Sequence, residues 1–220
     1  MTDINIKSAI GYNYIAIEGN IGAGKTTLCN LLADDMDCRL VLETFSDNPF
    51  LPLFYKMPER YALPVELFFM TERLQQMQSA IAASNKDGIP ILADYFFDKT
   101  ALFAENNLTG NELALFKRLY RLSAESIPSP DLVIYLHRLP EELLHNILKR
   151  GRDYEAAISE VYLKKIEKKY FDYLYAEKKI PVIVVHLKDK YYGHTDAVYK
   201  TVKSVLSEKH TAGIHDIFFK

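Results

Sequence analysis

Tyr14-Ile15-Ala16-Ile17-Glu18-Gly19-Asn20-Ile21-Gly22-Ala23-Gly24-Lys25-Thr26-Thr27 is the stretch on which the fold turns. Its short apolar run, Tyr14 to Ile17, reads as a strand, and residues 26–36 read as the helix that follows. Between them Gly19 to Thr26 fits G-x-x-x-x-G-K-[ST], in the strand-to-helix setting the motif requires. Glycines let the backbone curl until several N–H groups point at one phosphate, and the helix N-terminus adds partial positive charge. In such a loop the lysine, Lys25, reaches the β and γ phosphates, and Thr26 ligates Mg2+. The expected nucleotide-binding residues are Gly19, Asn20, Ile21, Gly22, Ala23, Gly24, Lys25, Thr26 and Thr27.

Four more apolar runs lie further along: Arg39-Leu40-Val41-Leu42, Pro90-Ile91-Leu92-Ala93, Leu132-Val133-Ile134-Tyr135-Leu136 and Pro181-Val182-Ile183-Val184-Val185. They are apolar on both faces, the mark of a parallel sheet covered by helices. Residues 59–84, 111–126, 141–149 and 159–178 read as helices between them. The alternation predicts a three-layer α/β fold with a five-stranded parallel sheet. The 220 residues, 49% hydrophobic and 25% charged, suffice for one domain with its own core. That core is expected over about 12–206, with peripheral tails at 1–11 and 208–220. A net charge of −2 argues against holding nucleic acid by bulk charge. Cys29 and Cys38 make neither a disulfide framework nor a four-ligand zinc site, and they suit a reducing cytoplasm. No apolar run reaches bilayer length and residues 1–7 lack a signal-peptide core, so no membrane partner is expected.

A GTPase would carry D-x-x-G and N-K-x-D. Here the third strand ends in Asp94-Tyr95-Phe96-Phe97, and Asn85-Lys86-Asp87-Gly88 does not match. Small-molecule kinases and ATPases remain. Ligands of open α/β sheets sit at the carboxyl ends of the strands, where Glu43 ends the second strand and Asp94 the third. An acceptor hydroxyl needs a base and Mg2+ needs oxygen ligands, so Glu43 is the candidate base and Asp94 the candidate metal-side carboxylate. Either acid would also serve as a helix cap. Lys149-Arg150-Gly151-Arg152-Asp153-Tyr154-Glu155 sets a glycine hinge between two arginines. It fits a lid that neutralises a transferring phosphoryl group, and equally a basic, solvated helix end.

These segments together resemble the deoxynucleoside kinase family. The likeness runs from about Tyr14 to Leu187. It rests on Ile17 to Thr27, Glu43, Asp47-Asn48-Pro49-Phe50-Leu51, Phe54-Tyr55 and Lys149 to Glu155. The resemblance implies a P-loop kinase fold with a short arginine-rich lid. It also implies a homodimer, for which the 111–126 helix is a candidate surface. The implied activity is ATP-dependent 5′-phosphorylation of a deoxyribonucleoside, with Glu43 as general base. Tyr55 matches a tyrosine at the sugar 3′-hydroxyl. Glu66 stands where the family has a base-reading glutamine, and Arg73 matches an arginine near the base. Arg150 and Arg152 match lid arginines, and Glu155 matches the lid carboxylate near the 3′-hydroxyl. Positions 66 and 73 are two helical turns apart and share a face, so Glu66 and Arg73 meet either a ligand or each other. An ionised glutamate offers acceptors only, which suits the paired N–H donors of guanine and favours deoxyguanosine.

Three departures stand out. After Asp94 the family has an arginine where this chain has Tyr95; the stretch from Asp94 to Phe103-Ala104 is one residue short; and the first lid arginine is replaced by Asn146. Two cationic groups are thereby missing, with Lys99 the nearest candidate to return one. The alternative expectation is a nucleotide-binding protein with weak or lost transfer.

Overall fold

The strands form where β-branched, aliphatic and aromatic residues cluster, and they stack side by side because both faces are mostly apolar. The computed structural model of the chain describes residues 11–44, 48–187 and 195–218. Asp47 and residues 1–10 lie outside that set. In chain order the elements are β1 (Tyr14–Gly19), α1 (Lys25–Asp35), β2 (Arg39–Val41), α2 (Leu51–Lys56), α3 (Pro58–Asp87), β3 (Ile91–Ala93), α4 (Lys99–Asn107) and α5 (Gly110–Ala124). There follow β4 (Leu132–His137), α6 (Pro140–Arg150), a 3-10 turn (Asp153–Ala157), α7 (Glu160–Ala176), β5 (Pro181–His186), α8 (Thr195–Leu206) and β6 (Gly213–Phe218).

The sheet order is β2-β3-β1-β4-β5-β6, with every pair parallel. The sheet therefore has six strands rather than the expected five. The 208–220 segment is not a peripheral tail, since Gly213 to Phe218 pairs in register with Pro181 to His186. Its sequence, Gly-Ile-His-Asp-Ile-Phe, hides this because β6 is an edge strand and stays half-exposed.

Alternation along β1 divides the core. Ile15 and Ile17 face one layer with Leu32, Ile134, Ile183 and Val202. Tyr14 and Ala16 face the other with Met77, Val133, Tyr135 and Tyr170. A third cluster joins α2, α3, α4 and α5 through Phe54, Val65, Met70, Ala104 and Phe116, with Phe97 from the turn before α4. Along α3 the buried positions fall at Ala62, Val65, Glu66, Met70, Arg73, Met77 and Ala80, a stripe at helical spacing that two charged residues interrupt. Helices α2 and α4 go beyond the expected set: α2 is only six residues long, and α4 starts soon after Asp94. Among the described residues no helix is long and apolar enough to cross a membrane.

Candidate active site

β1 lies between β3 and β4, so the chain winds outward from it in both directions. The crevice at the carboxyl ends beside it is where such sheets bind ligands. The loop after β1 fills that place. Gly22 has φ 83°, and a Cβ there would stand 2.8 Å from the Leu143 carbonyl oxygen, so only glycine fits against α6. Gly24, at φ 95°, opens α1, and nothing lies within 4 Å of where its Cβ would be. This leaves an open cradle beside the helix N-terminus, which fits a phosphate. Asn20 holds the loop from behind, its Nδ2 donating to the Leu163 carbonyl (2.8 Å) and its Oδ1 accepting from the Ile21 amide (2.8 Å). Asn146, at the position of the missing lid arginine, donates to the Gly22 carbonyl (2.9 Å) and acts as a loop brace. Lys25 Nζ donates to the Gly19 and Asn20 carbonyls (2.8 and 3.0 Å). Burial, with the charge of Lys99 added, pulls its pKa down to about 8.

Asp94 ties three elements together. Its Oδ2 accepts from Thr26 Oγ1 (2.5 Å) and its Oδ1 from the Glu43 amide (2.7 Å). This all-oxygen pair of hydroxyl and carboxylate is the kind of donor set that Mg2+ takes. Buried Glu18 fixes the next turn: its Oε1 accepts from the Phe96 amide (3.0 Å) and its Oε2 from Tyr170 Oη and the Gly19 amide (2.9 and 3.1 Å). Tyr95 turns away from the crevice, fully buried, and donates to Gln76 Oε1 (2.8 Å).

Glu43 is clamped by two cations. Arg73 Nε and Nη2 both donate to its Oε1 (2.9 and 2.6 Å), and Lys99 Nζ donates to its Oε2 (2.7 Å). Burial opposes ionisation, but Lys99 and then Arg73 outweigh it, and the carboxyl is held far below the usual carboxylate range. Of the two partners expected for Arg73, a ligand or Glu66, the side chain takes neither here but pairs with Glu43; its remaining Nη1 goes to Thr100 Oγ1 (2.9 Å). Lys99 does point inward, with its side chain only 4% exposed.

Glu66 Oε1 accepts from Asn107 Nδ2 (2.6 Å), while Oε2 is buried without a hydrogen-bond partner. Burial pushes its pKa up to about 7, against the opposing effects of the Asn107 hydrogen bond and Arg73. At the lid, Glu155 accepts from Arg150 Nε and Nη2 (3.1 and 2.5 Å) and from Arg152 Nη1 (3.2 Å). Gly151, at φ 71°, ends α6 in the left-handed conformation and so places the hinge. Tyr55 stacks on Tyr154 of the lid, ring centroids 6.3 Å apart.

One cleft, partly open to solvent, brings together Lys25, Thr26, Glu43, Tyr55, Glu66, Arg73, Asp94, Arg150, Arg152 and Glu155. Ile21 and Gly22 also line it. Gly22, Ala23, Gly24 and Thr27 line an adjoining cleft with Arg138 and Asn146. Gly19 and Asn20 lie behind the loop, facing Lys25 with their carbonyls. The sequence reading left out Asn107 altogether and could not orient Lys99. Lys99 had a signal, a lone cation five residues past Asp94; Asn107 had none, since its partner is 41 residues away.

A strand-end phosphate loop facing two carboxylates across a lidded cleft defines a P-loop phosphotransferase. The sequence profile of deoxynucleoside kinases matches residues 15–209, and the chain belongs to the deoxynucleoside kinase family. It is a kinase, an enzyme that transfers a phosphoryl group. It is 37% identical over 157 residues to a deoxyguanosine kinase of Bacillus subtilis strain 168, covering 71% of this chain and 76% of that protein. It is 32% identical over 183 residues to a deoxyadenosine kinase of Dictyostelium discoideum, covering 82% and 74%. The deoxyadenosine kinase of M. mycoides, solved with bound dCTP, superposes with a TM-score of 0.70 over 87% of this chain and 99% of that one, at 24% identity. That last likeness is one of fold.

Proposed function

We propose that this chain transfers the γ-phosphoryl group of ATP to the 5′-hydroxyl of a purine deoxyribonucleoside, deoxyguanosine above all. The observation that carries the reading is the single cleft. It is lined by a clamped carboxylate, Glu43, by Lys25 and Thr26 of the phosphate loop, and by Glu66, one carboxylate oxygen of which is buried with no partner. Glu43 accepts the proton of the attacking hydroxyl. Lys25 and the loop amides hold the donor's phosphates, and Thr26 with Asp94 would hold Mg2+, which would supply charge neutralisation to the transfer. Arg150 and Arg152 neutralise the charge that develops on the transferring group. Tyr55 and Glu155 face the sugar, and Glu66 reads the base.

The alternative of a binder with lost transfer rested on missing cations. Lys99, buried against Glu43, speaks against it. Exposed Leu115 and Leu122 share a face of α5, which suits the packing of two copies through that helix. The free thiols of Cys29 and Cys38 suit a reducing cytoplasm.

The test is to incubate the protein with ATP, Mg2+ and each of the four deoxynucleosides and their monophosphates, and to follow ADP. ADP is expected with deoxynucleosides, most with deoxyguanosine. ADP formed only with monophosphates would overturn the proposal.

Two predictions belong to the donor side. Lys25→Ala removes a charged contact to the β and γ phosphates and should weaken ATP–Mg2+ binding by about tenfold or more, read by calorimetry. Binding as tight as the parent's would remove Lys25 from the phosphate site. Arg150→Ala or Arg152→Ala should lower kcat by about tenfold or more while raising KM for ATP much less, because their work is on the transition state. A change in KM alone would make them ground-state contacts.

A further inference from the structure

Glu43 has its two oxygens unequally used. Oε1 receives two N–H donors from Arg73, whereas Oε2 receives one, from Lys99. Each carboxylate oxygen accepts about two hydrogen bonds. The acceptor hydroxyl is therefore admitted at Oε2, next to the ammonium already there. Two donors on one oxygen stand about 4 Å apart, so the reacting oxygen arrives beside Lys99 Nζ.

Lys99 is fixed in that place. Its amide donates to the Phe96 carbonyl (3.2 Å), and Asp98, which opens α4, accepts the hydroxyls of Tyr120 and Tyr173. An ammonium has three N–H donors, of which Glu43 takes one, and the side chain lines the cleft shared with Lys25 and Arg150. Two cations held close in a buried site gain from a polyanion between them, and the transferring phosphoryl group is one.

We propose that Lys99 is a catalytic residue, its ammonium touching the phosphoryl oxygens of the transferring group while it shares Oε2 of Glu43 with the attacking 5′-hydroxyl. The inference rests on Glu43 being the base. In the step, the hydroxyl proton passes to Glu43 Oε2, and the 5′-oxygen bonds to the γ-phosphorus. The bond from that phosphorus to the β–γ bridging oxygen breaks, and ADP leaves with the electron pair. Lys99 keeps its protons throughout and supplies charge.

The test is a double-mutant cycle on the full chain: parent, Lys99→Met, Glu43→Gln and Glu43→Gln/Lys99→Met. Lys99→Met is expected to lower kcat by about tenfold or more with a smaller change in KM for the nucleoside. The decisive comparison is the double variant, which should fall about tenfold below Glu43→Gln alone, because a group touching the phosphoryl oxygens still matters when the base is gone. Equal rates for those two variants would make Lys99 only a positioning residue for Glu43 and overturn the proposal. So would a parental kcat for Lys99→Met. If Glu43→Gln itself runs at the parent rate, the base assignment fails instead. If Lys99→Met does not fold, the double variant, with Glu43 and Lys99 neutralised together, still decides.

Discussion

Replacing Glu43 by glutamine is expected to lower turnover by about 10²-fold or more while leaving deoxynucleoside affinity nearly unchanged. Glutamine keeps the shape and the acceptor oxygen but takes up no proton. The parent carboxyl sits far below its ordinary 4.5 because Lys99 and Arg73 overcome the burial cost. It is therefore ionised around neutrality, and kcat should show no acid limb from Glu43 there. The sign for stability follows. A depressed folded pKa contributes stability that is present above about 4.5, the unfolded value, and lost as the pH falls toward the folded one. The variant gives up that contribution and leaves Lys99 and Arg73 without their counter-charge, so its Tm should drop at neutral pH. Turnover and calorimetric affinity, measured on a variant shown to be folded, separate the roles. Unchanged turnover would release Glu43 from proton transfer and make Asp94 the next candidate.

The part of this site that was legible in sequence is the part built from contiguous or strand-end residues. Gly19 to Thr26 carries its chemistry in its spacing, and Glu43 and Asp94 are located by the rule that ligands gather where parallel strands end. The lid is legible for the same reason, since Arg150, Gly151, Arg152 and Glu155 are neighbours. What stayed hidden depends on distant partners. Positions 66 and 73 do share a face, but nothing local says that Arg73 turns to Glu43, 30 residues back, while Glu66 turns to Asn107, 41 residues on. The loss of a cation at Tyr95 was visible and Lys99 was the candidate to return one; which way Lys99 turns was not, because it depends on how the turn after β3 delivers α4. At the level of the fold, β6 escaped because an edge strand needs no continuous apolar run, and Gly213 to Phe218 has none.

Glu66→Gln is expected to reverse base preference, moving the kcat/KM ratio of deoxyguanosine to deoxyadenosine by about 5- to 150-fold, the equivalent of one buried group left unpaired at 1–3 kcal/mol. In the parent, Glu66 lines the cleft, its Oε2 is buried without a partner and its Oε1 keeps one acceptor site beyond the Asn107 bond. An ionised carboxylate so placed matches N1–H and the N2 amino group of guanine, two donors side by side. Adenine and cytosine put an acceptor next to their donor, and it would face a carboxylate oxygen. A glutamine, with one donor and one acceptor, matches those bases instead. The parent's own preference should also change with pH, because burial brings the Glu66 pKa up to about 7. Above 7 the carboxylate reads guanine; as the pH falls through 7 the protonated acid presents a donor and an acceptor, and the ratio should drift toward adenine and cytosine. Glutamine does not titrate, so the variant's ratio should be flat from pH 6 to 8. The folded state binds the Glu66 proton more tightly than the unfolded chain between 4.5 and about 7, so this group's contribution to stability declines as the pH rises through that window. Glutamine escapes that decline, and the variant's Tm should exceed the parent's at pH 8. Competition assays on both proteins across that pH range decide the matter. A parent that prefers deoxyadenosine or deoxycytidine at pH 8, or a swap that leaves the ratio unmoved, would show that Glu66 does not read the base.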